Sequence, residues 1–191
     1  VIAHVPGAVE DEDTSGYLTK LKNNALEGVK KVNSQILSLP DRWYGYDMAD
    51  LLILGDVDFR RLRPSQKQAV ADWVRRGGTL VVAGGRMLPG SLEGRLGELA
   101  GVTAMGYHRV TEIRPAQPDR QDTPAVALDW AAPMAELCVG DCEVLLTHNG
   151  LPLITRRRAG EGNIFVLAAP LGAFEDPSLH WIWNDVRDAI Y

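Results

Sequence analysis

LLILGDVDFRRLRPSQKQAVADWVRRGGTLVVAGG, residues 51–85, is the stretch that decides the fold. Leu51 to Leu54 is continuously apolar and stops at Gly55-Asp56. A run so short and so unbroken reads as a strand buried on both faces, hence as part of a parallel sheet covered by helices. Thr79 to Ala83 repeats the pattern before Gly84-Gly85. Between them Pro64 suits the first turn of a helix. Ala69, Val70, Trp73 and Val74 recur at helical spacing, and Gly77 is a fitting C-terminal stop. Strand, helix and strand at this length make a βαβ unit with a right-handed crossover. Strands 51–55 and 79–83 are therefore expected to lie parallel, adjacent and central, with helix 65–76 over one face.

Outward from this unit the alternation continues. Val1 to Val5 reads as a buried strand closed by Pro6-Gly7. The acidic loop Glu10 to Asp13 leads to Thr14 and Ser15, both suited to cap a helix. Tyr17, Leu18, Leu21, Ala25, Leu26 and Val29 then recur at helical spacing. Val32 to Leu39 reads as a second strand, and the aromatic loop Trp43, Tyr44 and Tyr46 follows. Leu92 to Leu99 reads as a short helix, Tyr107 to Ile113 as a strand, and Pro115 to Pro124 as a polar loop. Val126 to Trp130, Glu143 to Thr147, Leu151 to Arg157 and Asn163 to Ala168 read as strands. Asn149-Gly150 between two of them is a strong hairpin signal. Asp176-Pro177 opens a last helix carrying Leu179, Ile182, Trp183 and Val186. One α/β domain over 1–191, its sheet extended by antiparallel strands near the C-terminus, accommodates all of this.

Composition narrows the function. With 191 residues, 46% of them hydrophobic, the chain can bury one good core. Its net charge of −5 argues against a nucleic-acid partner, which selects for a basic stripe. Arg60-Arg61, Arg75-Arg76 and Arg156 to Arg158 read as solvated helix and strand ends. No apolar run approaches a membrane span, and no signal peptide is expected within the chain. The chain opens on Val1 without an initiator Met, so an excised or processed chain is expected, with any membrane anchor outside it.

Several phrases carry a resemblance. They are Leu39-Pro40-Asp41-Arg42-Trp43, Tyr46 to Asp56, Pro64-Ser65-Gln66, Trp73 to Val82, and Gly160 to Ala168. Together they resemble a class I glutamine amidotransferase-like domain, in the branch without amidotransferase activity. That branch is similar to soluble domains of bacterial membrane-anchored proteins and to the trimerisation domain of some β-galactosidases. The resemblance implies a flavodoxin-like, mostly parallel sheet with helices on both faces, and an extracytoplasmic setting on a membrane-anchored parent. In active relatives a Cys stands on a tight strand-to-helix turn and is served by a His-x-Glu pair near the C-terminus.

Neither feature is present. After Val81-Val82-Ala83 the chain reads Gly84-Gly85-Arg86-Met87-Leu88-Pro89-Gly90, with no Cys, Ser or Thr on the turn. Ser91 follows, but Pro89 and Glu93 stand where a nucleophile elbow needs glycines, so Ser91 reads as a helix N-cap. His180 is followed by Trp181-Ile182, not by an acid. Cys138 and Cys142, placed between a helix-like stretch and a strand, read as buried thiols or a local disulfide. His148, just before the Asn149-Gly150 turn, is expected at the surface, and His108 has no acidic pair in obvious range. No metal site, cofactor or catalytic set follows.

What remains is the carboxyl edge of the sheet, where open α/β proteins bind ligands. His4, Asp56, Asp58, Gly84, Gly85 and Arg86 are the pocket residues expected there, for a small polar ligand. Trp43, Tyr44 and Tyr46 lie toward the opposite end and are expected at an interface with a protein partner or a second copy. The reading is a non-catalytic amidotransferase-like domain for ligand binding or assembly within a larger protein. The alternatives are a hydrolase on a small or carbohydrate-like substrate, built from His4, Asp56 and a serine, and a sensory domain of a membrane-anchored protein.

Overall fold

The computed structural model describes residues 2–5, 31–33, 36–116, 124–174, 176, 179 and 181–188. The helix expected over Thr14 to Val29 lies outside them, as does His180. An eight-stranded sheet carries the fold. Its strands are β1 (Ile2–Val5), β2 (Lys31–Asn33), β3 (Leu51–Leu54) and β4 (Thr79–Ala83), with four later strands described below. Leu51 pairs with Thr79 and Leu54 with Val82 in parallel, so the central pair stands as the apolar runs predict. Both strands are buried along their whole length. Each Leu or Ile so enclosed contributes roughly 1.5–3 kcal/mol.

Helix α1 (Pro64–Arg75) links them. It buries Ala69, Val70, Ala71, Trp73 and Val74. Gln66 closes its first turn by accepting the Arg63 N–H at 2.9 Å, and its amide donates to the carbonyls of Leu37 and Leu39 at 3.1 and 2.7 Å. Those bonds correct the expected strand 32–39. After β2 the chain turns through a 3-10 segment at Ile36–Ser38, and its carbonyls are served by a glutamine side chain. Trp43–Tyr46 is likewise a 3-10 turn.

Beyond β4 two short helices, α2 (Leu88–Ser91) and α3 (Arg95–Ala100), replace the single helix expected over 92–99. Gly94, at φ 68°, interrupts the path. The chain then leaves the sheet as a long antiparallel ribbon of β5 (Val102–Ile113) and β7 (Val126–Val139). β7 runs well past the expected 126–130. Its extension passes as helix-like because Ala132 to Ala135 are all buried and show no strand alternation.

Between the two ribbon strands, β6 (Pro115–Ala116) pairs with β8 (Glu143–His148), so part of the expected 115–124 loop is strand. β9 (Leu151–Ala159) and β10 (Gly162–Leu167) follow. β10 inserts beside β4 in parallel, while β9 and β8 continue antiparallel. The sheet order is β2-β1-β3-β4-β10-β9-β8-β6. It is a mixed sheet with a parallel half and an antiparallel half. Helix α4 (Trp181–Asp188) ends the described chain, with Trp183 and Val186 buried.

Candidate functional site

β1, β3, β4 and β10 are parallel, so their carboxyl ends share one edge of the sheet. Asp56 stands just past β3 and is 2% exposed. Its Oδ1 accepts the Met87 N–H at 2.9 Å, and the Gly85 and Arg86 amides also face the carboxylate. Oδ2 accepts no hydrogen bond. Burial holds the Asp56 carboxyl above its ordinary pKa; the three amides and the Arg86 charge act in the opposite direction. Consecutive backbone N–H groups on a turn form an anion-binding nest. Here the anion is the protein's own Asp56.

The glycines serve this junction. A Cβ on Gly84 would stand 2.5 Å from Asp56 Oδ1, and one on Gly85 would overlap the Pro133 carbonyl of β7. β7 is held there because the Ala135 N–H donates to Ala168 O at 2.7 Å, just beyond β10. The space above Gly84 and Gly85 is thus taken by Asp56 and Pro133. Ser91 does not cap a helix. It is buried, donates to Val57 O at 2.7 Å and accepts the Phe59 N–H at 3.0 Å.

The structure therefore brings Asp56, Gly84, Gly85 and Arg86 together. Arg86 is exposed. Asp58 turns instead to Arg60, accepting its N–H at 3.1 Å and its Nε at 2.9 Å, and that pairing holds the carboxyl below its usual range. His4 pairs with Ile53 in the β1–β3 ladder, so its backbone sits near the same edge.

The aromatic turn lies where β3 and β4 begin. Tyr46 is buried, tilted against Trp73 at 5.7 Å between centroids, and its hydroxyl donates to Pro40 O at 3.3 Å. Trp43 is half-buried under the Arg76 guanidinium, 4.2 Å above the ring. Tyr44 is 59% exposed. One of the three aromatics thus faces solvent.

Other placements correct the sequence reading. Cys138 is exposed and Cys142 half-buried, and neither is bridged; burial pushes the Cys142 thiol up. His148 is buried, and its Nδ1 accepts the Arg114 N–H at 3.0 Å, tying the start of β6 to β8. Burial, then the His108 charge, lowers its pKa. His108 does meet an acid, Glu136, at 3.4 Å across the ribbon. Sequence spacing misses the pair because 28 positions separate them along the chain (136 − 108). Among the described residues no three His, Cys, Asp or Glu side chains gather as a metal site. Nor is any described helix long and apolar enough to cross a membrane.

No family model and no curated protein matches the chain in sequence. Solved structures do match its fold. Cytoplasmic protein STM1381 from Salmonella typhimurium LT2 superposes with a TM-score of 0.71 at 15% identity, over 99% of this chain and 98% of that one. Cytoplasmic protein STM3548 from Salmonella typhimurium gives 0.73 at 14%, over 98% of both. The β-galactosidase from Bacillus circulans sp. alkalophilus gives 0.61 at 15%, over 95% of this chain but 30% of the enzyme. The likeness is one of fold. That fold occurs both over nearly an entire chain and as a fraction of a glycosidase.

Proposed function

We propose that this chain is a non-catalytic domain that works by assembly, holding copies of itself or of a parent protein together. One observation carries the reading. At the carboxyl edge, where an α/β enzyme mounts its reactive groups, the turn after β4 bears no nucleophile and its backbone nest is filled by Asp56. The glycosidase match supports it, since the fold there forms part of a larger enzyme. The resemblance to a β-galactosidase trimerisation domain points the same way and favours a homo-oligomer. Exposed Tyr44 is one apolar side chain available to a partner.

The amidotransferase-like ancestry and the flavodoxin-like arrangement belong to the same proposal. The parallel order β2-β1-β3-β4-β10 supports them, matching the 2-1-3-4-5 order of such sheets. The two Salmonella proteins, both named as cytoplasmic, favour a cytoplasmic setting over the extracytoplasmic one that the resemblance implied. A small polar ligand at Arg86, Asp58 and His4 would bind at the rim of the edge, outside the Asp56 knot.

Two measurements test the reading. Sedimentation over a concentration series should give a mass above one chain. The purified protein should release no ammonia from glutamine. A monomer at every concentration, or ammonia release abolished by Cys138→Ser or Cys142→Ser, would overturn it.

A further inference from the structure

We propose that His148 is an acid-sensitive latch: neutral, it holds β6 against β8, and protonated, it lets β6 go. β6 has two residues and, among the described residues, is the outermost strand on its side of the main sheet. Its Pro115 stands directly opposite His148 in the ladder and has no N–H to give. The donor at this point is the preceding amide, Arg114, and its acceptor is the His148 ring Nδ1 at 3.0 Å. One register on, Thr147 Oγ1 donates to Ala116 O at 3.1 Å. An imidazole only 4% exposed thus receives the backbone donor that leads into β6.

That bond fixes where the ring carries its proton. A backbone N–H can only donate, so Nδ1 presents its lone pair and the proton of the neutral ring sits on Nε2. Nε2 lies 3.1 Å from the Asn149 Nδ2 position, and a half-turn of that amide sets its oxygen there to accept the Nε2–H. A second proton has one place to go, which is Nδ1. It sets two donors face to face across 3.0 Å, leaves the Arg114 N–H unpaired, and encloses a cation between β6 and β8.

The charged groups that face the ring do not rescue the cation. Burial opposes it first, and the charges of His108 on β5 and of Arg114 act the same way. Glu112 on β5 favours it, but that carboxylate is engaged by Arg114 at 2.7 Å. His108 is paired with Glu136 of β7 at 3.4 Å, and Leu151, opposite His148 on β9, carries no charge. Undocking β6 wets the ring and restores its ordinary affinity for a proton. The undocked state therefore binds more protons below about pH 6.5, and its share rises as pH falls. The opening is local, because the buried β3–β4 pair lies elsewhere in the sheet.

Ring NMR and amide exchange on the intact chain test the latch. At pH 7.5 His148 should show the Nε2–H tautomer. Between pH 7.5 and 5.5 the protection of the Arg114 and Ala116 amides, corrected for intrinsic exchange, should fall about three- to tenfold more than that of Leu52 in β3. In His148→Gln, whose amide oxygen accepts at any pH, this difference should vanish. An Nδ1–H tautomer at pH 7.5, Arg114 protection that does not fall, or a fall shared equally by Leu52 would each overturn the latch on the wild-type protein alone. Wild-type pH dependence retained in His148→Gln would overturn it as well.

Discussion

Removing Trp73 and refilling its space from the other side tests the packing that fixes the βαβ unit. Trp73 is 5% exposed and lies against Tyr46 at 5.7 Å between centroids with 36° between planes. Gly78 lies against the indole, where an added Cβ would stand 2.3 to 2.6 Å from three ring carbons. Trp73→Ala should cost about 3–5 kcal/mol, as large-to-small core changes do. Of this, roughly 0.5–1.5 kcal/mol is the lost aromatic contact with Tyr46. Gly78 has no positive φ, so Gly78→Ala is opposed by the ring and not by the backbone. Alone it should cost about 1–3 kcal/mol as overpacking. In the Trp73→Ala background the clash is gone and the new methyl enters the vacated space, so the second substitution should be close to neutral. The cycle should then show a coupling of at least about 1 kcal/mol, within the range for residues in contact. Urea unfolding of the four proteins at fixed pH measures it. A loss below about 1 kcal/mol for Trp73→Ala, or additive effects in the double variant, would mean the indole does not fill this site.

Gly85→Ala should destabilise by about 1–3 kcal/mol or more, because its methyl meets the Pro133 carbonyl; an unchanged melting temperature would show that β7 does not seal the edge. Ser91→Ala leaves Val57 O and the Phe59 N–H without their hydroxyl partner and should cost about 1–3 kcal/mol. A cost under about 0.3 kcal/mol would refute that bridging role. Burial holds the folded His148 pKa below the ordinary imidazole value, so on acidification the unfolded chain takes up the proton first. Its contribution is full above about pH 6.5 and is lost as pH falls toward the folded value. Denaturant melts from pH 8 to 5 should therefore fall more steeply for wild type than for His148→Gln; Asp56, with its raised pKa, pulls the other way in both proteins. Parallel slopes would refute the His148 account. A thiol reagent at neutral pH should label exposed Cys138 faster than Cys142, whose thiol is pushed up by burial, and Cys138→Ser should remove the fast phase. Two equal rates would contradict the burial assigned to Cys142.

The sequence by itself determined the centre of this protein. Leu51–Leu54 and Thr79–Ala83 carry no polar alternation, so they are stable only with both faces covered. The α1 stripe between them supplies a crossover of the right length. Asn149-Gly150 announced its hairpin because both residues can take positive φ, and they sit at 50° and 81°. The vacant nucleophile turn at Gly84 to Gly90 was equally legible, since it needs only residue identity. Tertiary structure alone decided the rest. Ala132 to Ala135 form a strand without alternation because β5 lies along one edge and the ends of β4 and β10 press against the ribbon. Asp56 looked like a ligand contact, yet the Met87 amide it holds lies 31 residues away. His148 is drawn into the interior by an Arg114 amide 34 residues distant. Local period reports which face of an element is apolar. It carries no record of which distant backbone groups will close over that face, and at the carboxyl edge those groups determine what the turn is for.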